Sequence, residues 1–200
     1  MGNACYGGVM RAPLMLSALI WSLGVPLTAQ SATPLNPAEQ ALMEFAYFGE
    51  LEKVKRRVSE GTAVDAADAE AHTPLMWAAF NGHSAVVGYL LEKGAKLSAQ
   101  DANGRTALMY ASSGPFVETV ELLLKEGAEV DVQGKLEGFT ALMTAAAEGQ
   151  LEVVRLLLDY GADPELEDKD GDTAQDFARQ KGHQEVVEVL DNPPPASDHP

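Results

Sequence analysis

The stretch TPLMWAAFNGHSAVVGYLLEKGA, residues 73–95, decides the fold because the chain repeats its pattern four more times. Clear copies are TALMYASSGPFVETVELLLKEGA at residues 106–128 and TALMTAAAEGQLEVVRLLLDYGA at residues 140–162. More distant copies begin at Gln40 and Thr173, so that the five starts lie 33 or 34 residues apart. A period of this length predicts an array of similar structural units whose stacked interfaces form the core.

Each copy indicates two short antiparallel helices. The threonine at its start is a helix N-cap, because its hydroxyl can accept a hydrogen bond from a free N–H of the first turn. Pro74 follows the first such threonine, at a position where a missing N–H costs nothing. A glycine such as Gly82 separates the two helices, and a glycine such as Gly94 ends the second one. The apolar runs of the second helices are predicted to lie between units, with Leu157 in the core.

Five units cover most of the chain, and their ends differ from their middle. The predicted bounds are 35–67, 68–100, 101–134, 135–167 and 168–191. The first unit has a basic second helix, and the last has Gln175 and Asp176 where other units have leucine and methionine, as solvent-facing end units should. Residues 192–200 have no apolar content with which to fold, and we predict a disordered tail there.

These residues resemble the ankyrin repeat: T-P-L-x-x-A at the start, glycine in the middle and L-L-x-x-G-A at the end. The resemblance covers about 155 of the 200 residues. It implies an all-α solenoid, a right-handed stack of helix pairs with a concave face. It also implies that the loops joining one unit to the next, here called fingers, project to one side of the stack.

The chain departs from the family pattern at several positions. Methionine replaces the usual histidine of the first helix, so we expect apolar packing instead of that histidine's hydrogen bond. The positions concerned are Met43, Met76, Met109 and Met143. Ala71 stands where a finger glycine belongs, Pro115 where a mid-unit glycine is expected, and Gly134 is an extra residue in the fourth finger. We therefore expect less regular structure at the second finger and in the third unit.

The first 31 residues have the order of a secretory signal peptide. Arg11 is followed by an apolar run from residue 14 to residue 27 and then by small residues, which predicts cleavage near Ala29 or Ser31. The apolar run is shorter than the roughly 20 residues of a spanning helix, although a retained anchor is the alternative. Translation from Met10 would place Arg11 directly behind the initiator. If the leader is instead spurious, the protein is cytosolic.

Composition limits the function. The net charge of −16 and the lack of a basic patch argue against nucleic acid as a partner. The only cysteine, Cys5, is lost with the leader, so the mature chain has no thiol chemistry and is expected in the periplasm or outside the cell. No hydrolase, zinc-protease or nucleotide-binding motif occurs, and the Ser112–Ser113 pair has no assignable base. We therefore expect no enzyme, cofactor or metal site.

Histidines and alternating aspartates are the remaining candidates for chemistry. His83 and His183 follow mid-unit glycines, which indicates a structural position. Asp168, Asp170 and Asp172 alternate like calcium ligands, yet Thr173 and Arg179 stand where an EF-hand loop needs glycine and glutamate. The stretch is therefore interpreted as the fifth finger. A cation-binding or accessory catalytic role in the periplasm remains the alternative function.

The resemblance implies a protein-protein interaction scaffold or adaptor that binds through its fingers and first helices. Large aromatic residues and arginine, which are enriched at binding hot spots, occur at such positions. The candidate contact residues are Tyr47, Trp77, Phe80, Arg105, Tyr110 and Phe139. Phe80 and Phe139 are expected to be the more exposed, whereas Trp77 and Tyr110 have the alternative of packing against neighbouring first helices. The acidic surface favours a partner with a basic rim, and the protein is expected to be a monomer.

Overall fold

The computed structural model describes residues 35–193, and within them ten α-helices form five antiparallel pairs. The first helices of the pairs are α1 (Pro37–Tyr47), α3 (Pro74–Phe80), α5 (Ala107–Ser112), α7 (Ala141–Ala147) and α9 (Ala174–Lys181). The second helices are α2 (Leu51–Ser59), α4 (Ser84–Glu92), α6 (Val117–Lys125), α8 (Leu151–Asp159) and α10 (Gln184–Asp191). Residues 35–193 contain no strand, so the predicted all-α solenoid is confirmed.

Small residues allow the first helices to form a tight row. Each first helix packs against the first helix of the next unit, more extensively than successive second helices pack against each other. Ala78, Ala79, Ala145 and Ala146 lie at these contacts and are fully buried. Because alanine adds little volume, neighbouring helix backbones can approach closely along this row. The second helices form the outer row, where Leu157 is fully buried as expected.

The N-caps form as the repeat pattern predicts. The hydroxyls of Thr73, Thr106 and Thr140 accept from the amides three residues on, at 3.3, 3.4 and 3.1 Å. Thr173 makes a capping box with Asp176. The first unit lacks the threonine and begins earlier, because Asn36 caps α1 and Glu39 completes a capping box with it.

The methionines that replace histidine are part of the core. Met76, Met109 and Met143 are at most 3% exposed, and Met43 is 8% exposed. Their side chains therefore add apolar area to the contact between units, as the sequence predicts. The sulfur of Met143 additionally accepts from the Thr140 amide at 3.4 Å, so one methionine also serves the helix cap.

Two histidines join neighbouring units through backbone groups. His83 Nε2 lies 3.0 Å from the Tyr47 carbonyl oxygen, and His183 Nε2 lies 3.1 Å from that of Ala147. Each ring covers the mid-unit glycine of the preceding unit: a Cβ on Gly49 would lie 2.5 Å from the His83 ring. A side chain there would displace the histidine, so these glycines are required by the neighbouring unit as well as by the turn.

The irregular positions lie where the sequence departs from the family. Helix α5 has six residues and is the shortest of the described helices. Ala71 has φ +63, the left-handed value that glycine adopts in the other fingers. In the longer fourth finger, the Gly134 amide bonds to the Phe139 carbonyl at 2.9 Å and closes the loop around the extra residue.

The predicted leader and the tail from residue 194 onward lie outside the described residues. Among residues 35–193, no helix combines the length and the apolar character that a membrane span requires.

Candidate functional site

Three fingers share one loop geometry built on an aspartate. In the third finger, Asp101 Oδ1 accepts from the amides of Asn103 at 2.9 Å and Arg105 at 2.8 Å. The Asp101 amide donates in turn to the Arg105 carbonyl at 3.0 Å. Asp68 and Asp168 make the same bonds in the second and fifth fingers. The aspartate therefore holds the loop closed and presents the residue before the capping threonine.

This geometry accounts for the alternating aspartates of the fifth finger. Asp168 Oδ1 accepts hydrogen bonds from the amides of Asp170 and Asp172, both at 2.9 Å. Thr173 is already the N-cap of α9. The carboxylate therefore shapes its own loop, and the chain turns into a helix before it could wrap an ion.

The fingers are joined tip to tip into a continuous row. The amide of Ala102 donates to the Glu70 carbonyl at 2.8 Å, and the amide of Lys135 donates to the Asn103 carbonyl at 2.6 Å. The Lys169 amide completes the row by donating to the Glu137 carbonyl at 2.9 Å. Backbone groups thus set the spacing of the fingers, and the side chains next to them are held at regular positions along the stack.

An aromatic cluster lies on and next to the first helices of units one to three. Trp77 is its centre: its ring centroid lies 5.8 Å from Tyr47, 6.2 Å from Phe80 and 6.3 Å from Tyr110. The His72 ring lies 4.8 Å from Trp77, and Phe48 lies 5.1 Å from Tyr47. We call these six residues the aromatic cluster. The cluster contains four of the six candidate contact residues, and the sequence interpretation missed Phe48 and His72.

Exposure differs within the cluster and corrects the expected ranking. Tyr110 is only 7% exposed, so it belongs to the packing between units rather than to a free surface. Trp77 and Tyr47 are half-buried. Phe80, expected to be more exposed, is half-buried as well, because its ring meets Trp77 and Tyr110 edge-on. The most exposed ring is Phe48, at 57%.

Asp101 connects the third finger to the aromatic cluster through hydrogen bonds. Its Oδ2 atom accepts from Arg105 Nε and from the Tyr110 hydroxyl, both at 2.8 Å, and His72 Nε2 lies 3.7 Å away. Burial alone would raise the pKa of Asp101, but the bonds from the Arg105 amide, the Tyr110 hydroxyl and the Arg105 guanidinium together hold that pKa below its ordinary value. Burial and the bond to Asp101 raise the pKa of Tyr110.

Arg105 is therefore already engaged within the protein. Its guanidinium carbon lies 4.8 Å from the Tyr110 ring centroid while its Nε bonds Asp101. The sequence interpretation treated this side chain as free for a partner. In the structure it stacks on its own unit, with 38% of the side chain exposed at the rim of the aromatic cluster.

Phe139 lies apart from the aromatic cluster. It is half-buried and packs edge-on against Phe177 of the fifth unit, with centroids 5.0 Å apart. This also differs from the expected exposure, and the cause is the neighbouring ring. In the same finger Leu136 is 63% exposed, an apolar tip residue that the sequence interpretation did not single out.

The groups that suggested chemistry are bound into the local structure. Asp68, Glu70 and His72 place three potential ligand atoms within 4.8 Å of one another. However, His72 Nδ1 lies 2.9 Å from Asp68 Oδ2, and this contact orients the His72 ring toward Trp77. The hydroxyls of Ser112 and Ser113 donate to carbonyls of their own helix at 2.8 Å. These arrangements serve structure, and none of them assembles a nucleophile with a base.

The basic residues of α2 are paired with acids on the same helix or at its ends. Lys53 lies 2.8 Å from Glu50, Lys55 lies 2.8 Å from Glu52, and Arg57 lies 3.0 Å from Glu60. The most basic segment of the chain is therefore largely neutralised by its own surroundings, and the acidic character dominates the surface.

Comparison with known families agrees with this architecture. A family model described as ankyrin repeats in three copies matches residues 42–134 and residues 116–193. A comparison with curated proteins finds no match to the chain.

Proposed function

Because the chain belongs to the ankyrin-repeat family, we propose that it is an exported, non-catalytic scaffold that binds another protein through the aromatic cluster. Ankyrin repeats are generally protein-protein interaction modules, and the family is typically non-catalytic. The finer elements of the proposal, namely the surface, the partner's charge and the location, are supported by the observations that follow.

The aromatic cluster carries the proposal because the stack does not need the rings of Trp77 and Phe80 in order to pack. Trp77 and Phe80 stand four and seven residues after the capping threonine, and the fourth unit has Thr144 and Ala147 at the same two positions. The first helix of that unit still packs in the row, with Ala145 and Ala146 fully buried. Clusters of partly exposed aromatic rings are uncommon on surfaces that bind no partner, and aromatic residues are enriched at binding hot spots.

The charge of the protein favours a partner with a basic rim. The net charge is −16, and the basic residues of α2 are paired locally. Opposite charges around an apolar contact steer the encounter and accelerate association, an effect that salt weakens. We expect the association rate to fall as ionic strength rises, while the dissociation rate depends mainly on the aromatic contacts.

Export is supported by the leader pattern of residues 10–31. A location in the periplasm or outside the cell follows from it, and the scaffold would meet its partner there as a monomer.

The test is capture of a partner from the exported fraction, followed by affinity measurements with variants of the purified protein. Phe48→Ala removes an exposed ring, so we expect at least a tenfold loss of affinity with an unchanged melting temperature. Phe80→Ala should weaken binding as well. Val117→Ala, a change of an exposed apolar residue on the outer row, is the matched control and should bind normally. If Phe48→Ala and Phe80→Ala both bind like the unmodified protein, the surface is assigned wrongly.

A further inference from the structure

The fingers and first helices repeat one three-part arrangement. It consists of the finger aspartate, the residue directly before the capping threonine, and the ring four residues after that threonine. In the third unit these are Asp101, Arg105 and Tyr110. The second unit has Asp68, His72 and Trp77, and the fifth has Asp168, Asp172 and Phe177. The fourth unit lacks both the aspartate and the ring.

In the third and second units, a nitrogen-bearing side chain fills the space between carboxylate and ring. Arg105 bonds Asp101 Oδ2 at 2.8 Å and lies 4.8 Å from the Tyr110 centroid. His72 Nδ1 lies 2.9 Å from Asp68 Oδ2, and its ring lies 4.8 Å from Trp77. The chain itself thus demonstrates what this arrangement accommodates: an N–H group that bonds the carboxylate while its plane meets an aromatic ring.

The fifth unit has the same backbone without that side chain. The Asp172 amide bonds Asp168 Oδ1 at 2.9 Å, and the Asp168 amide bonds the Asp172 carbonyl at 3.0 Å, as in the third finger. However, the middle residue is Asp172, a second carboxylate. Asp168 Oδ2 receives no hydrogen bond from any residue in the range 35–193. Asp172 Oδ2 has one partner there, the Gln180 amide at 3.3 Å.

The ring of the fifth unit is half-buried, packs against the core and meets one other aromatic ring among the described residues. Phe177 meets Phe139 of the preceding finger, in the way that Tyr110 meets His72 of the preceding finger. Tyr110 is then covered by Arg105 of its own finger, whereas Phe177 has Asp172 at that position. In the described part of the chain the fifth finger is the last, so no further finger bonds to its tip. Asp168, Asp172 and Phe177 therefore occupy the positions of Asp101, Arg105 and Tyr110, at the last described finger of the stack.

We propose that the fifth unit binds an arginine side chain of the protein partner, with the guanidinium bonded to Asp168 and Asp172 and stacked on Phe177. This inference rests on the proposed function only in that the arginine belongs to a protein. A planar guanidinium can bond a carboxylate in a bidentate manner while its plane stacks on a ring, a combination that the non-planar ammonium group does not offer. The two neighbouring negative charges also favour a cation between them.

The experiment is an NMR titration of the purified, isotope-labelled protein with N-acetyl-arginine amide. N-acetyl-citrulline amide, which has the same shape without the charge, is the matched ligand control. We expect saturable shifts of backbone amides within residues 168–177 for the arginine compound, and at least tenfold weaker binding for the citrulline compound. Equal shifts from both compounds, or arginine shifts that lie elsewhere, would overturn the proposal.

A substitution provides the second arm. Asp172→Arg copies the third unit, so its own guanidinium should occupy the space, abolish the arginine-induced shifts and raise the urea midpoint of unfolding. Asp170→Arg makes the same charge change at the exposed tip of the finger, and in this variant the arginine-induced amide shifts should persist. An unchanged titration in Asp172→Arg contradicts the site. Loss of partner binding in Phe48→Ala but not in Asp172→Arg would contradict this inference and leave the proposed function standing.

Discussion

Thr119 illustrates how a single residue can differ from its equivalents at a cost in stability. It stands thirteen residues after its capping threonine, where the other threonine-capped units have Val86, Val153 and Val186. Its side chain is 1% exposed, and the hydroxyl oxygen has no hydrogen-bond partner in the described part of the protein. A buried hydroxyl that loses its bonds to water without a replacement destabilises the folded state.

Thr119→Val should therefore stabilise the protein. Valine has nearly the same shape and removes only the unpaired hydroxyl, so we expect the free energy of unfolding to rise by roughly 1 kcal/mol. Urea denaturation measures it. The control is Thr144→Val, whose hydroxyl donates to the Thr140 carbonyl at 2.9 Å and should give no gain. A loss of stability in Thr119→Val would mean that the Thr119 hydroxyl has a hydrogen-bond partner in the unmodified protein.

Ala71 is a second single-residue departure, this time in the backbone. Its φ of +63 is the left-handed conformation, which Gly104, Gly138 and Gly171 adopt in the other fingers at φ 80 to 86. An L-residue in this conformation costs roughly 1–2 kcal/mol, and the greater freedom of glycine in the unfolded chain offsets part of that.

Ala71→Gly should accordingly raise the free energy of unfolding, by up to about 1 kcal/mol. Ala69→Gly is the control, since Ala69 lies in the same finger without a left-handed φ and the substitution there only adds unfolded-state entropy. If thermal or urea melts show that Ala71→Gly is no more stable than the unmodified protein, Ala71 is not strained.

At the scale of an element, the third finger depends on the carboxylate of Asp101. Asp101 is 1% exposed and accepts from two backbone amides, one guanidinium and one hydroxyl. The pKa of this carboxyl is lowered in the folded protein, so the unfolded chain binds the proton more tightly. The stabilisation is therefore present above the ordinary pKa of about 3.9 and is lost as the pH falls through the lower folded value.

Asp101→Asn should destabilise the protein at pH 7 by an amount on the order of 3 kcal/mol, because the amide leaves the guanidinium and the hydroxyl without an anionic acceptor. The difference from the unmodified protein should shrink below about pH 4. Urea melts across this range measure it. Asp131→Asn is the control. Burial raises the pKa of the Asp131 carboxyl, which means that its charge does not stabilise the fold, so the neutral side chain should not lower the stability at pH 7. A pH-independent difference for Asp101→Asn would contradict the linkage.

At the scale of the whole molecule, the units stabilise one another through their neighbours. The histidine-to-carbonyl contacts and the tip-to-tip finger bonds all cross from one unit to the next. Such an array is stabilised by the sum of its interfaces. The first helix of each end unit begins with a capping box, formed by Asn36 and Glu39 in the first unit and by Thr173 and Asp176 in the fifth.

The prediction at this scale concerns the leader. We expect the exported protein to begin just after Ala29 or Ser31, because a basic start, an apolar run and small residues precede those positions. N-terminal sequencing of the exported product measures it, and cells that carry Arg11→Glu serve as a control with reduced export. An exported product that begins at Met1 or Met10 would contradict cleavage.

The sequence by itself determined what is local and periodic. The period predicted the units, each threonine predicted a cap, and the apolar runs of the second helices placed Leu157 in the core, because these features depend on hydrogen bonds and burial within about one turn or one unit. The finger role of Asp168 followed from the same comparison between units. Local geometry repeats when the residues that build it repeat.

Only the tertiary structure decided which side chains are free. Tyr110 and Arg105 stood at positions that the family pattern leaves open, yet one is buried and the other is held by Asp101. Phe80 and Phe139 are half-buried because rings of neighbouring helices cover them, whereas Phe48 is exposed. For the rings, the physical reason is that exposure depends on the residue that an adjacent unit places alongside, about 33 positions away, and the pattern of a single unit does not contain that neighbour. Arg105 is held within its own unit, by contacts that form only when the finger and the first helix are folded together.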